Sequence, residues 1–178
     1  MELMSFRRTD VPELLSWFAN ESELIQWAGP SFTWPLTAEQ FIQHLQVADT
    51  EPPTLYPLGL YEGDAFVGYC ELSDLCWAAG SAKLSRVAIR PDRRGQGLGL
   101  FMVRRALALG FGQLKLHRIG LGVFDFNSAA VRCYERAGFT HEGTLRDSAR
   151  VGDERWSCHI MSILRPEWDG GQSEHDPA

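Results

Sequence analysis

The sequence predicts a single α/β (α+β) domain built on a mixed sheet. At 178 residues the chain has the length of one domain. Strand and helix patterns alternate along it, with no internal repeat and no long linker. A glycine-rich turn joins one strand directly to one helix, the connection a layered sheet-and-helix fold needs.

The elements follow from local signals. Residues 3–8 pattern as a short strand. Asp10 is placed to cap the next helix, with Glu13 completing a capping box and Leu14, Leu15, Trp17 and Phe18 on the apolar side. Asn20 interrupts, residues 22–28 form a second short helix, and Gly29-Pro30 stops it. Thr37 with Gln40 opens another helix through Phe41, Ile42 and Leu45. Residues 55–61 and 65–72 pattern as a hairpin around Glu62-Gly63-Asp64. A strand over 82–89 leads through the glycine turn to a helix with Leu98, Phe101, Met102, Ala106 and Leu109 on one side. A strand over 117–124 and a helix over 128–137 closed by Gly138 come next. Two strands, 139–149 and 155–164, flank Gly152-Asp153. The domain is expected to span 1–169, with 170–178 a polar, flexible tail.

Composition narrows the function. The chain is 44% hydrophobic and 22% charged, as in ordinary globular proteins. No apolar run is long enough to span a bilayer, so no membrane partner is expected. The first residues do not read as a signal peptide, and a cytoplasmic location is expected. None of the four cysteines is in a C-x-x-C pair, and the five histidines lack metal-ligand spacing, so no metal is expected. A net charge of −6 argues against nucleic acid as partner and suits a cationic small molecule or basic peptide.

The segment from Val87 to Gly99 carries the most chemistry. A strand ends, Gly95, Gly97 and Gly99 follow, and a helix begins. Glycines there permit positive φ and close approach of a ligand to the backbone. The free N–H groups of the first helical turn, together with Arg93 and Arg94, suit a phosphate or pyrophosphate. The pattern lacks the lysine of a Walker A loop and the spacing of a dinucleotide fingerprint.

Arg94-x-x-Gly97-x-Gly99 after Val87-Ala88-Ile89 resembles the acetyl-CoA motif of GNAT acetyltransferases. Downstream, Asn127-Ser128-Ala129-Ala130, Tyr134-Glu135 and Ala137-Gly138-Phe139 match a second motif of that family. The stretch from Glu142 to Arg146 is similar to the branch containing ribosomal-protein N-terminal acetyltransferases. The resemblance implies a largely antiparallel central sheet flanked by helices, with acetyl-CoA (coenzyme A) as cofactor. It also implies that main chain at Val87, Ala88 and Ile89 pairs with the pantetheine arm. Arg94, Gly95, Gln96, Gly97, Leu98 and Gly99 would hold the pyrophosphate, Asn127 would touch the arm, and Tyr134 would offer its hydroxyl to the sulfur.

The chemistry of acyl transfer fits these roles. Transfer from a thioester builds an oxyanion that backbone N–H groups on a splayed strand stabilise. Expulsion of a thiolate is helped by a proton donor. Asn127 and Tyr134 are about two helical turns apart and share a side.

The base is less defined. The positions where family branches carry a glutamate hold Lys83 and Gly122. Glu71, Asp74, Asp125, His117 or a chain of waters remain, with Glu71 favoured as the catalytic base. The acceptor pocket is expected between 17–34 and 147–156, with Trp27, Phe32 and Trp34 contacting a cationic amine. The expected activity is N-acetylation of a primary amine on a protein N-terminus, a polyamine-like metabolite or an amine antibiotic. A non-catalytic acyl-CoA-binding sensor is the alternative, and a homodimer stays open.

Overall fold

The computed structural model describes residues 1–168; the expected tail at 170–178 lies outside them. Seven strands form one sheet in the order β1-β2-β3-β4-β5-β7-β6. They are β1 (Glu2–Ser5), β2 (Tyr56–Glu62), β3 (Ala65–Cys76), β4 (Ser81–Ile89), β5 (Arg118–Phe124), β6 (Thr140–Val151) and β7 (Glu154–Leu164). Every neighbouring pair is antiparallel except β4 with β5. The helices are α1 (Val11–Leu15), α2 (Glu21–Ala28), α3 (Ala38–Leu45), α4 (Leu98–Leu107) and α5 (Ser128–Arg136).

Alternation along the strands divides the interior into two cores. Cys70 and Leu72 of β3, with Leu84, Ile119 and Met161, pack against Met102, Val103 and Ala106 of α4 and Tyr134 of α5. Tyr69, Phe66 and Tyr61 point the other way and pack on Val11 and Leu14 of α1 and Phe41 and Leu45 of α3. Each helix therefore buries one apolar stripe on one face of the sheet.

Several local details differ from the sequence patterns. Asp10 precedes α1 without a side-chain cap, because its carboxylate accepts from the Tyr61 hydroxyl at 2.8 Å instead. The helix it begins is only five residues long, and Trp17 and Phe18 lie beyond it. Asn20 is the N-cap of α2, accepting from the Glu23 amide at 2.9 Å. Thr37 caps α3 in the same way at 3.2 Å, but the Gln40 side chain turns away to Pro35 and Thr33. Strand β3 runs four residues past the expected end at Leu72, and α4 continues into a wider π turn over Ala108–Gln113.

An ion pair ties β5 to β6 across β7. Glu142 accepts from the Arg118 guanidinium and, at 2.8 Å, from the Ser162 hydroxyl. These donors, Arg118 first, hold the Glu142 carboxyl at about 2, below its ordinary value. A depressed carboxyl stabilises the fold fully above its unfolded pKa and loses that contribution as pH falls toward the folded one. The pair is more than a third exposed, so screening limits it to about 1 kcal/mol or less. Lowering the pH from 5 to 2.5 should therefore lower the Tm of the wild type more than that of Glu142→Gln, as followed by circular dichroism. Parallel pH dependences would show that the pair contributes nothing.

Candidate active site

Strands β4 and β5 pair only at their start. Ser81, Ala82 and Lys83 face Arg118, Ile119 and Gly120, and no pairing follows. From there β5 remains bound to β7 through to Phe124, while β4 remains bound to β3 through to Ile89. The two strands diverge, and a cleft of about 930 Å³ opens between them. The edge of β4 beyond Lys83 has no partner strand, so its backbone polar groups face the cleft.

The glycine turn lies at one end. Gly95 and Gly97 have φ of 77° and 81°, and no atom lies within 4 Å of where a Cβ would project. Gly97 is the N-cap of α4 and provides no side chain there, so the first amides of the helix are open. Arg94 donates through Nε to the Ile89 carbonyl at 3.2 Å and lines the cleft. Gln96 accepts from Arg93 at 3.1 Å. Such a cradle suits a phosphate-bearing ligand, with open space where side chains are lacking.

Helix α5 forms the opposite wall. Asn127 caps it, accepting from the Ala130 amide at 3.2 Å. Tyr134 is 8% exposed and lines the cleft. Burial, with smaller contributions from Cys133 and Cys70, pushes its hydroxyl well above the ordinary phenol value. It is thus a protonated hydrogen-bond donor at neutral pH.

The structure brings Val87, Ala88, Ile89, Arg94, Gly99, Asn127, Tyr134 and Trp27 into one cleft lining. Gly95, Gln96, Gly97 and Leu98 lie at its end, in the turn and first turn of α4. Phe32 and Trp34 do not line it. Phe32 stacks on Trp27 and packs against Phe41 and His44, so it props Trp27 from outside the lining. Trp34 is 37% exposed in the loop before α3.

Glu71, expected as the base, is fully buried and absent from the cleft lining. Its Oε1 accepts from the Tyr69 hydroxyl at 2.6 Å and lies 3.0 Å from His44 Nε2, and its Oε2 accepts from Arg86 at 2.7 Å. A carboxylate so enclosed cannot reach an amine in the cleft, which corrects the expectation. Asp125 and His117 do not line the cleft either. Among the described residues, Asp74 and Glu23 are the carboxylates that do. Glu23 is occupied at the start of α2, accepting from the Ala19 amide at 2.9 Å. Asp74 faces the polar end of the cleft with Lys83, 2.9 Å away, and the hydrogen-bonded hydroxyls of Ser73 and Ser85.

Arg86 was not anticipated. It lines the cleft with φ of 49°, inside a bulge where Tyr69 faces Ala88 and Glu71 faces Ser85. The signal was present in the sequence: Ala82 and Leu84 set one alternation, and Val87 and Ile89 resume it out of phase. Among the described residues no cluster could hold a metal ion, and no helix is long and apolar enough to cross a membrane.

The acetyltransferase (GNAT) family model matches residues 21–139, more than half of the chain and all of this cleft's main elements. The chain belongs to the GNAT acetyltransferase family. It is 31% identical over 102 residues to spermidine N(1)-acetyltransferase of Vibrio cholerae, covering 57% of this chain and 58% of that one. The match thus spans a little over half of that relative's length. It is 28% identical over 147 residues to aminoglycoside N(6′)-acetyltransferase type 1 of Klebsiella pneumoniae, covering 76% of this chain and 72% of that one. A crystal structure of Vibrio cholerae spermidine N-acetyltransferase in complex with CoA and spermine superposes with a TM-score of 0.81 at 22% identity. That superposition covers 93% of this GNAT chain and 96% of the other. GNAT enzymes use acetyl-CoA, and the open β4 edge and glycine cradle suit such a ligand.

Gly97→Ala places a Cβ on a left-handed backbone, which costs about 1 kcal/mol or more in strain. Its calorimetric affinity for acetyl-CoA should fall about tenfold, with the fold intact. Unchanged affinity would show that the cradle does not hold the ligand.

Proposed function

We propose that the protein is an acetyl-CoA-dependent N-acetyltransferase acting on a small molecule that carries more than one amine. The observation that carries this reading is the convergence of three features on one cleft: the unpaired β4 edge, the glycine cradle, and the buried Tyr134. Acetyl-CoA, when bound, supplies a thioester carbonyl open to attack by an amine.

The chain's own groups divide the remaining work. The main chain at Val87, Ala88 and Ile89 pairs with an extended arm as an added strand would. An N–H in the bulged part of β4 meets the oxygen that gains charge. Tyr134 donates a hydrogen bond to the departing sulfur. A thiol with a pKa near 8.5 is a stronger acid than this raised phenol, so the hydroxyl stabilises the thiolate without surrendering its proton outright.

The acceptor must lose a proton before it attacks, since an alkyl ammonium near pKa 10.4 is almost wholly protonated at neutral pH. We assign its removal to Asp74, directly or through water, as the cleft carboxylate not used to cap a helix. Glu23, which also lines the cleft, suits an acceptor with a second positive charge. The relatives named for spermidine and for aminoglycosides act on polycationic small molecules, which supports this class. The similarity of 142–146 to the ribosomal-protein branch keeps a peptide N-terminus as a comparison substrate, although Glu142 is committed to Arg118.

Thiol release from acetyl-CoA should be followed with polyamines, aminoglycosides and basic peptides. Turnover is expected on one of the first two classes, falling at least about tenfold in Tyr134→Phe with acetyl-CoA binding retained. Tight binding with no turnover on any amine would instead indicate an acyl-CoA sensor. With the best amine, Asp74→Asn should lower kcat/KM by about a hundredfold at pH 7, and the loss should shrink above pH 9 as free amine accumulates. An equal loss at every pH would remove Asp74 from the role of base.

A further inference from the structure

Glu71 is a fully enclosed carboxyl group near the cleft, yet it is not placed to touch a substrate. It lies on β3 with no exposed surface. Three donors surround it, from three parts of the chain: Tyr69 on the same strand, His44 on α3, and Arg86 on β4. A buried carboxylate persists only when so compensated. Arg86 is its charged partner, and Arg86 is the residue whose backbone carries the bulge.

That bulge has a visible consequence. Ala82 and Leu84 belong to the core under α4, whereas Ala88 belongs to the core under α1 and α3. One extra residue opposite Cys70 reverses the phase of β4 just where it separates from β5. Arg86 takes up the reversal with φ of 49°, a region that a non-glycine residue enters only when its surroundings hold it there. Two contacts besides Glu71 hold it. The Trp27 indole N–H donates to the Arg86 carbonyl at 2.8 Å, and the guanidinium lies 5.3 Å from the centre of the Phe32 ring.

We propose that Glu71 is a positioning residue, which clamps the Arg86 guanidinium and thereby fixes the Arg86–Val87 bulge that presents the cleft edge of β4 to the acyl group. It deepens the proposed acetyltransferase reading and rests on it. Glu71 acts on the reaction through Arg86 and takes no proton from the acceptor. Misplacing a group that stabilises the transition state by about 1 Å costs up to about a hundredfold in rate while the ligand still binds.

The experiment compares wild type, Glu71→Gln and the double variant Glu71→Gln/Arg86→Met. The double variant removes both charges, so no lone buried charge remains to prevent folding. Steady-state kinetics are run from pH 6 to 10, and the Trp27 indole N–H is followed by 15N NMR as a reporter of the Arg86 carbonyl. Both variants should be folded, with kcat down by about tenfold to a hundredfold at every pH, KM for acetyl-CoA within about threefold, and the indole resonance shifted. Recovery of the wild-type rate at high pH in Glu71→Gln would make Glu71 the base and overturn the proposal. Wild-type kcat with an unmoved indole signal in the folded variants would also overturn it. If the wild type turns over no amine at all, the acetyltransferase reading fails, and an unmoved indole signal then rejects the clamp on its own while a shifted one keeps it.

Discussion

Parallel pairing between β4 and β5 lasts for three residues, and the cleft exists because it goes no further. Two strands that part in the middle of a sheet leave backbone donors and acceptors unpaired on both facing edges. The sheet tolerates this because each strand stays paired on its other side, β5 continuously with β7 and β4 with β3 on both sides of a bulge. The opening is therefore confined to the facing edges. It yields an internal sheet edge between the two cores, at the C-terminal ends of two parallel strands. The helices that follow those strands, α4 and α5, begin at the same end. Their N-termini, with Gly97 and Asn127 as caps, thus flank the opening as a result of the topology.

The two ends of the cleft differ in chemistry for reasons that are local. Near α4 it offers open amides, glycines and Arg94, which suit an anion. Near the point of divergence it offers paired hydroxyls, Asp74 against Lys83, and the indole of Trp27. The side chains expected from β5 on that face are absent, since Gly120 and Gly122 stand there. A Cβ at Gly122 would lie 3.0 Å from the Cys158 sulfur, a tight approach that a side chain there could make only if Cys158 shifted. The two ends thus suit the two reactants of the proposed reaction, an anionic donor at one and an amine at the other.

Much of this was legible in the sequence where a residue type has one dominant local use. Gly95 and Gly97 after a Val-Ala-Ile strand, Thr37 before Phe41, and Gly138 after α5 each specify a turn or a cap without tertiary help. Asp10 shows the limit. Its capping pattern is intact, but Tyr61, 51 positions away, offers a buried hydroxyl that takes the carboxylate. Phe32 and Trp34 mark the same limit, since an aromatic-rich loop does not reveal which rings face the cleft. Glu71 was misread because a strand position identifies the face a side chain takes, but not what that face is packed against. Arg86, 15 residues on, turned it from a candidate base into half of an ion pair.

The buried pair raises a question of energetics that bears on function. Enclosing a carboxylate and a guanidinium costs several kcal/mol in lost hydration, at an order-of-magnitude level, and apolar residues of similar size are often as stable. Stability alone is therefore a weak reason for Glu71 and Arg86 to occupy the space between β3, β4 and α3. Apolar packing is non-directional, and it would accept Arg86 in either phase of the strand. A charge-assisted hydrogen bond is directional, and here it joins one guanidinium to one carboxylate that Tyr69 and His44 hold from the other side. Through these bonds α3, β3 and the bulge of β4 are tied together where β4 borders the cleft. The positive φ of Arg86 is the strain that this arrangement supports, and the reversed alternation of β4 is its trace in the sequence.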